Sequence, residues 1–166
     1  MPAVVFEVDL SDLKASVEDV QSFLNNPKIS RPVLQELGDF YVLRIITRTN
    51  QGADFKGAKF EPYSDMYADF RVSRGRNASP VDLTMSGKML NALDATVTPQ
   101  GDVLLFFNNA ERGQIAWYHN ASLEEDPRVR QKIPHRRFVD LDENGQDAKQ
   151  MATVVRDAIA NHLNRV

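Results

Sequence analysis

Thr96-Val97-Thr98-Pro99-Gln100-Gly101-Asp102-Val103-Leu104-Leu105-Phe106-Phe107 is the stretch on which the fold turns. Two runs rich in β-branched and aromatic residues flank a Pro-Gln-Gly-Asp connection, the pattern of a β-hairpin. Val103 to Phe107 is apolar at every position, so it reads as a central strand covered on both faces. Upstream, Ala3-Val-Val-Phe-Glu-Val8 is a short edge strand, and downstream Phe138-Val-Asp-Leu141 is a last strand.

Helical spacing fills the intervals. Ser11 caps a first helix to about Asn25, with Leu13, Val17, Val20 and Leu24 on one face and Pro27 as its stop. Ser30 caps a second, with Pro32 in its first turn and Val33/Leu34, Leu37, Tyr41 and Ile45 as its stripe. Gly38 inside that helix costs about 1 kcal/mol against alanine. A close helix crossing is the expected compensation. Arg44 and Arg48 stand where cations oppose the helix dipole. Ser86 to Leu93 and Ala110 to Asn120 read as short helices, the latter carrying Ile115, Trp117 and Tyr118. After the Asn144-Gly145 turn a terminal helix follows, with Met151, Val154/Val155, Ala158/Ile159, His162/Leu163 and Val166 as its stripe.

These elements are segregated rather than alternating. The expectation is an α+β fold with a small antiparallel sheet of about four strands packed with N-terminal and C-terminal helices. Residues 50–80 lose periodicity under Gly52, Gly57, Pro62 and Gly75, so a long irregular loop is expected there. At 166 residues, with no repeat or long linker, one domain spanning 1–166 is expected.

Composition excludes more than it identifies. The chain has no cysteine, which removes disulfides, thiolate metal sites and a cysteine nucleophile. A net charge of -3 is too small to argue for a nucleic-acid or membrane partner. No basic leader precedes an apolar run, and no run approaches the roughly 20 residues of a membrane span. His119, His135 and His162 lack metal-site spacing, no serine sits in a Gly-x-Ser-x-Gly elbow, and no glycine-rich phosphate loop occurs. His119 reads as a hydrogen-bonding helix-end residue, and Asp9 and Asp12 as charges at a helix start. We therefore expect no catalytic residues, no cofactor and no metal: the chain is not an enzyme.

Charge clusters carry the remaining signal. Arg71, Arg74 and Arg76 fall in the irregular region, and Arg128, Arg130, Lys132, Arg136 and Arg137 form a basic stretch after the acidic Glu124-Glu125-Asp126. Arginine clusters in loops contact phosphates or partner proteins. The neighbouring acids cancel much of the field and no aromatics interleave, which favours protein contact. These eleven residues are the interface candidates. Phe55, Phe60, Tyr63, Tyr67 and Phe70 either pin the irregular region to the core or fill a neighbour's surface.

One ordered series of local motifs resembles a family. Asp54 to Gly57 is an Asp-x-x-Gly turn, Phe60 to Ser64 a Phe-x-Pro-Tyr-Ser segment with Tyr67 nearby, and Leu83 to Leu90 a Ser-Gly helix start. A strand pair, an Ala-x-x-His helix (Ala116 to His119) and a Pro-x-Arg-x-Phe segment (Pro134 to Phe138) follow, then the last helix. This order, over roughly 40–166, resembles the tailed-phage virion-morphogenesis proteins of the tail-completion or neck group. Asn120-Ala121-Ser122 and an acidic insertion replace the glycine usual after the Ala-x-x-His helix, and Arg137 stands where a second proline is common.

The resemblance implies a structural subunit that assembles as a homo-oligomeric ring around the DNA channel, completing the tail or joining it to the head. Its partners would be its own copies and the adjacent neck, tail-terminator or head-closure proteins. Channel DNA would lie close without specific contact, and no membrane is involved. Its location would be the virion, and the host cytoplasm during assembly. The alternative is a small nucleic-acid-binding module using the arginine-rich loops.

Overall fold

The hairpin forms where its turn chemistry places it. In the computed structural model, which describes residues 5–7, 27–121 and 134–163, strands β2 (Leu93–Val97) and β3 (Val103–Phe107) flank a turn. The Thr98 amide donates to Asp102 O at 2.8 Å, and Gly101 takes φ +92°, a conformation that favours glycine. Strand β1 (Val5–Glu7) pairs antiparallel with β3, placing Phe6 opposite Leu105. The sheet order is β1-β3-β2, so β3 is central. Its residues alternate buried and half-buried, so one face is sealed and the other partly covered.

Four helices are described: α1 (Pro27–Asn50), α2 (Asp65–Ser73), α3 (Ala110–Asn120) and α4 (Gln146–Leu163). The class is α+β. Among the described residues the sheet has three strands, not about four. Residues 138–141 are not assigned to a strand. Side chains serve much of the backbone at 138–140. Asn120 Oδ1 accepts from the Phe138 and Val139 amides at 2.9 and 2.8 Å, and Asn120 Nδ2 donates to Val139 O at 2.9 Å. One buried asparagine thus stands in for a neighbouring strand.

Other expectations shift in the same way. The second helix starts at Pro27 rather than after Ser30, which moves Pro32 past the first turn. Residues 86–93 hold one 3-10 turn (Leu90–Ala92) instead of a helix, because Gly87 at φ +75° leaves the helical region and β2 begins at Leu93. The buried face of α3 is Gly113, Ala116 and Asn120, while Tyr118 is exposed. Most consequentially, α2 lies inside the stretch read as irregular. The first strand is confirmed over 5–7, whereas the helix expected at 11–25 lies outside the described residues.

Two compact units divide the chain. In the one built from 5–7, 27–44, 94–106 and 141–163, α1 lies on the hairpin at very short range. A Cβ on Gly38 would stand 2.9 Å from Ala95 Cβ and 3.0 Å from Val103 Cγ1, so the glycine answers a helix-on-strand approach, not a helix crossing. Leu34, Leu37 and Tyr41 of the same helix are buried. Arg31 Nη2 and Gln35 Nε2 each donate at 3.0 Å, to Val97 O and Ala95 O, and so occupy carbonyls along β2. Arg44 donates twice to Asp147 Oδ1, at 3.0 and 2.7 Å, in the first turn of α4.

The other unit, 45–93 with 107–121 and 134–140, carries the site. Its first turns are fixed by short polar bonds. Asp54 Oδ1 accepts from the Lys56 and Ala58 amides, and a Cβ on Gly52 (φ +82°) would meet Pro80 Cβ at 2.7 Å. Arg48 is buried and donates to Phe138 O and Asp140 O at 2.6 and 3.3 Å, a more specific task than opposing a helix dipole. Ser64, in extended conformation, precedes α2, and its carbonyl accepts from the Ala68 amide at 2.8 Å. No described helix is long and apolar enough to cross a membrane.

Candidate docking groove

Tyr63 is held between two arginines. Arg71 lies 4.7 Å and Arg136 5.2 Å from its ring centre, both within cation–π range. Its hydroxyl donates to Asp82 Oδ1 at 3.4 Å and accepts from the Leu83 amide at 3.2 Å. Leu83 itself sits at φ +52°, a left-handed conformation that costs a branched residue about 1 kcal/mol or more. The Tyr63 and Asp82 bonds hold that corner in place. From Tyr63 an aromatic row runs outward. Tyr67 meets it edge-on at 5.1 Å, Phe70 stacks on Tyr67 at 6.0 Å, and Arg74 lies 5.3 Å from the Phe70 ring.

The two arginines beside Tyr63 are structural. Arg71 is 1% exposed and makes an ion pair with Asp82 at 2.9 Å. It also donates to Asn77 O and Thr84 O, so one side chain fixes both sides of the 74–84 connection. Arg136, 4% exposed, donates to Glu61 O and Pro62 O at 3.0 to 3.2 Å. These bonds satisfy carbonyls that no ladder serves.

Between these elements lies a groove of about 860 Å³. Tyr63, Tyr67 and Pro62 form one wall; Leu83, Met85, Met89 and Ile115 give it an apolar lining; Arg112, His119 and Arg136 add polar groups. Among the described residues, the three titratable groups with a clear shift all border it. Burial pushes the Tyr63 phenol above its ordinary value against the field of Arg71. Burial likewise lowers Arg136. Burial and then the Arg136 charge lower His119 to about 4, so the imidazole is neutral at pH 7. Its buried Nδ1 has no hydrogen-bond partner among the described residues. The His119 carbonyl, in contrast, accepts from the Arg136 amide at 2.8 Å. The side chain therefore differs from the hydrogen-bonding helix-end residue expected from sequence.

The interface candidates separate into four groups. Arg71 lies in a helix rather than a loop and, with Arg136, is buried and internally bonded, so these two do not present free charge. Arg74 and Arg76 are exposed, whereas Arg137 pairs with Asp140 at 2.7 Å. Glu124, Glu125, Asp126, Arg128, Arg130 and Lys132 lie outside the described residues. Of the aromatic group, Phe60 is buried, Tyr63 and Tyr67 line the groove, and Phe55 lies 5.5 Å from the Arg137 guanidinium. Phe70 is 44% exposed.

Sequence reading missed the surface of α2. This helix buries only Arg71 and exposes Met66 at 83% and Val72 at 62% besides Phe70. Met66 and Phe70 are four apart, which puts them on one face. Apolar spacing alone was available as a signal, but it marks a core face far more often than an exposed one. Among the described residues no group of three His, Asp or Glu side chains is placed to hold a metal. Comparison with protein-family models, with curated proteins and with solved structures finds no match.

Proposed function

We propose that the chain is a structural subunit of a tailed-phage neck or tail end, assembling as a ring that completes the tail, joins it to the head, or both. The observation that carries this reading is the outward apolar face of α2 beside an open groove, in a chain whose ordered motifs resemble that family. Exposed Met and Phe on one helix face suit protein contact, since monomers seldom leave such patches uncovered. In this reading the partners are other copies of the chain and adjacent neck proteins, and the site is the virion. The acidic 124–126 and basic 128–132 runs add opposite charges of the kind that orient head-to-tail neighbours.

A nucleic-acid module is the weaker reading. Arg71 and Arg136 are consumed by carbonyls and by Asp82, which leaves Arg74 and Arg76 as exposed members of the described clusters. Electron microscopy of lysates from a phage lacking this gene tests the proposal. Separate DNA-filled heads and unattached tails are expected, with tail length distinguishing completion from joining. Normally joined virions would overturn it and advance the nucleic-acid module, whose mark is oligonucleotide binding that falls steeply with salt.

A further inference from the structure

Between buried Phe60 and buried Val81 the chain runs through residues 61–80 with Arg71 as its one buried side chain. Tyr63, Tyr67, Ala68 and Ala78 are half-buried and the rest of the stretch is exposed. Its two ends meet at Gly52. The Gly52 carbonyl accepts from the Phe60 amide at 2.8 Å, and a Cβ on Gly52 would lie 2.7 Å from Pro80 Cβ. A segment whose ends are close and which buries little apolar surface can open by itself while the body stays folded.

What holds this arm down is polar and local. At its base, Arg136 donates to Glu61 O and Pro62 O. Further out, the contacts converge on residues 82–84. Arg71 pairs with Asp82 at 2.9 Å and donates to Thr84 O at 3.1 Å. The Tyr63 hydroxyl donates to Asp82 Oδ1 at 3.4 Å and accepts from the Leu83 amide at 3.2 Å. Tyr63, Ser64 and Tyr67 of the arm line the groove together with Leu83, Met89 and Ile115 of the body.

We propose that residues 63–79 are a flap that opens as a unit, anchored at both ends on Gly52 and latched by the Arg71–Asp82 pair. When the latch breaks, Tyr63 and Tyr67 leave the groove together. The groove then has a closed form, the one described, and an open form whose free energy lies below that of whole-chain unfolding. The flap does not depend on the neck reading.

Amide exchange followed residue by residue at rising low urea tests it. The amides of Ala68, Arg74 and Arg76, bonded within the arm, should exchange through an opening that responds weakly to urea. Those of Tyr41 and Leu105 should exchange through the strongly urea-dependent global route. Arm amides that share the urea response of Tyr41 overturn the flap. The Leu83 amide lies outside the arm but is bonded to Tyr63, so it should follow the arm. If it exchanges with the core, α2 merely frays. Leu105→Val, in the core, should quicken Tyr41 and leave the arm amides unchanged, and equal quickening of both overturns a separate opening. Asp82→Asn keeps the shape of the latch and removes its charge. It should quicken the arm amides and Leu83 about tenfold. Tyr41 should quicken by the same factor, since the pair is lost in both opened states. Quickening of Tyr41 alone, or no change anywhere, overturns the latch.

Discussion

The two units hold their backbones in different ways. In the unit built on the hairpin, regular ladders satisfy most peptide groups, Arg31 and Gln35 serve two β2 carbonyls, and Ala95 and Val103 leave position 38 room only for glycine. In the unit that carries the groove, side chains do much of that work. Arg48, Arg71, Asn120 and Arg136, all buried, bond to carbonyls and amides of extended or turning chain. Polar architecture of this kind frees a helix from core duty. Accordingly α2 buries a single arginine and turns its apolar residues outward.

Breaking the polar architecture should have the largest effect. Arg71→Met leaves Asp82 without its cation and strands two carbonyls, for an expected loss of about 3–5 kcal/mol. Urea unfolding would measure it, and a loss under 1 kcal/mol would show that Arg71 is incidental. Asn120→Ala comes next, because it strands two amides and a carbonyl at 138–139, with an expected loss of about 3 kcal/mol. Amide exchange at Phe138 and Val139 should quicken with it, whereas a true strand pairing there would keep them slow.

His119 gives the comparison a pH dependence. Its folded pKa, about 4, lies below the ordinary 6.5, so the folded form refuses a proton that the unfolded chain accepts. Its contribution to stability is therefore complete above pH 6.5 and is lost as pH falls toward 4. By pH 5 the loss should reach about 2 kcal/mol. His119→Gln should remove that part of the slope between pH 7 and 5, and an unchanged slope would contradict the burial argument. On the other side of the comparison, Gly38→Ala sets an added Cβ against better helix propensity, for a net loss of about 1 kcal/mol. Smallest of all, Arg74→Glu should leave the unfolding midpoint where it is, since Arg74 is exposed beyond the end of α2.

The same contrast explains what could be read from the sequence. Periodicity and turn chemistry located the hairpin, the central β3, α1, α3 and α4, because apolar spacing and Gly101 encode them locally. Helix α2 escaped because its one buried position is an arginine, and its Met66, Tyr67 and Phe70 sit outside any core stripe. The strand expected at 138–141 failed for a related reason: Phe138 and Val139 are buried as a strand would bury them, but an asparagine 18 residues away supplies the hydrogen bonds. Both arginine clusters were interface candidates in the sequence. Burial separates Arg71 and Arg136, which lie over the Tyr63 ring, from Arg74 and Arg76, which face solvent.

The most direct test of the central claim, that the outward face of α2 is the working surface of a joining subunit, is restoration of particles in a gene-deleted phage lysate. Purified wild-type chain should raise the count of joined virions and the infective titre. The Met66→Asp, Phe70→Asp variant, folded by circular dichroism and added at equal concentration, should leave both at background. A variant that restores joined virions as well as the wild type would contradict the account.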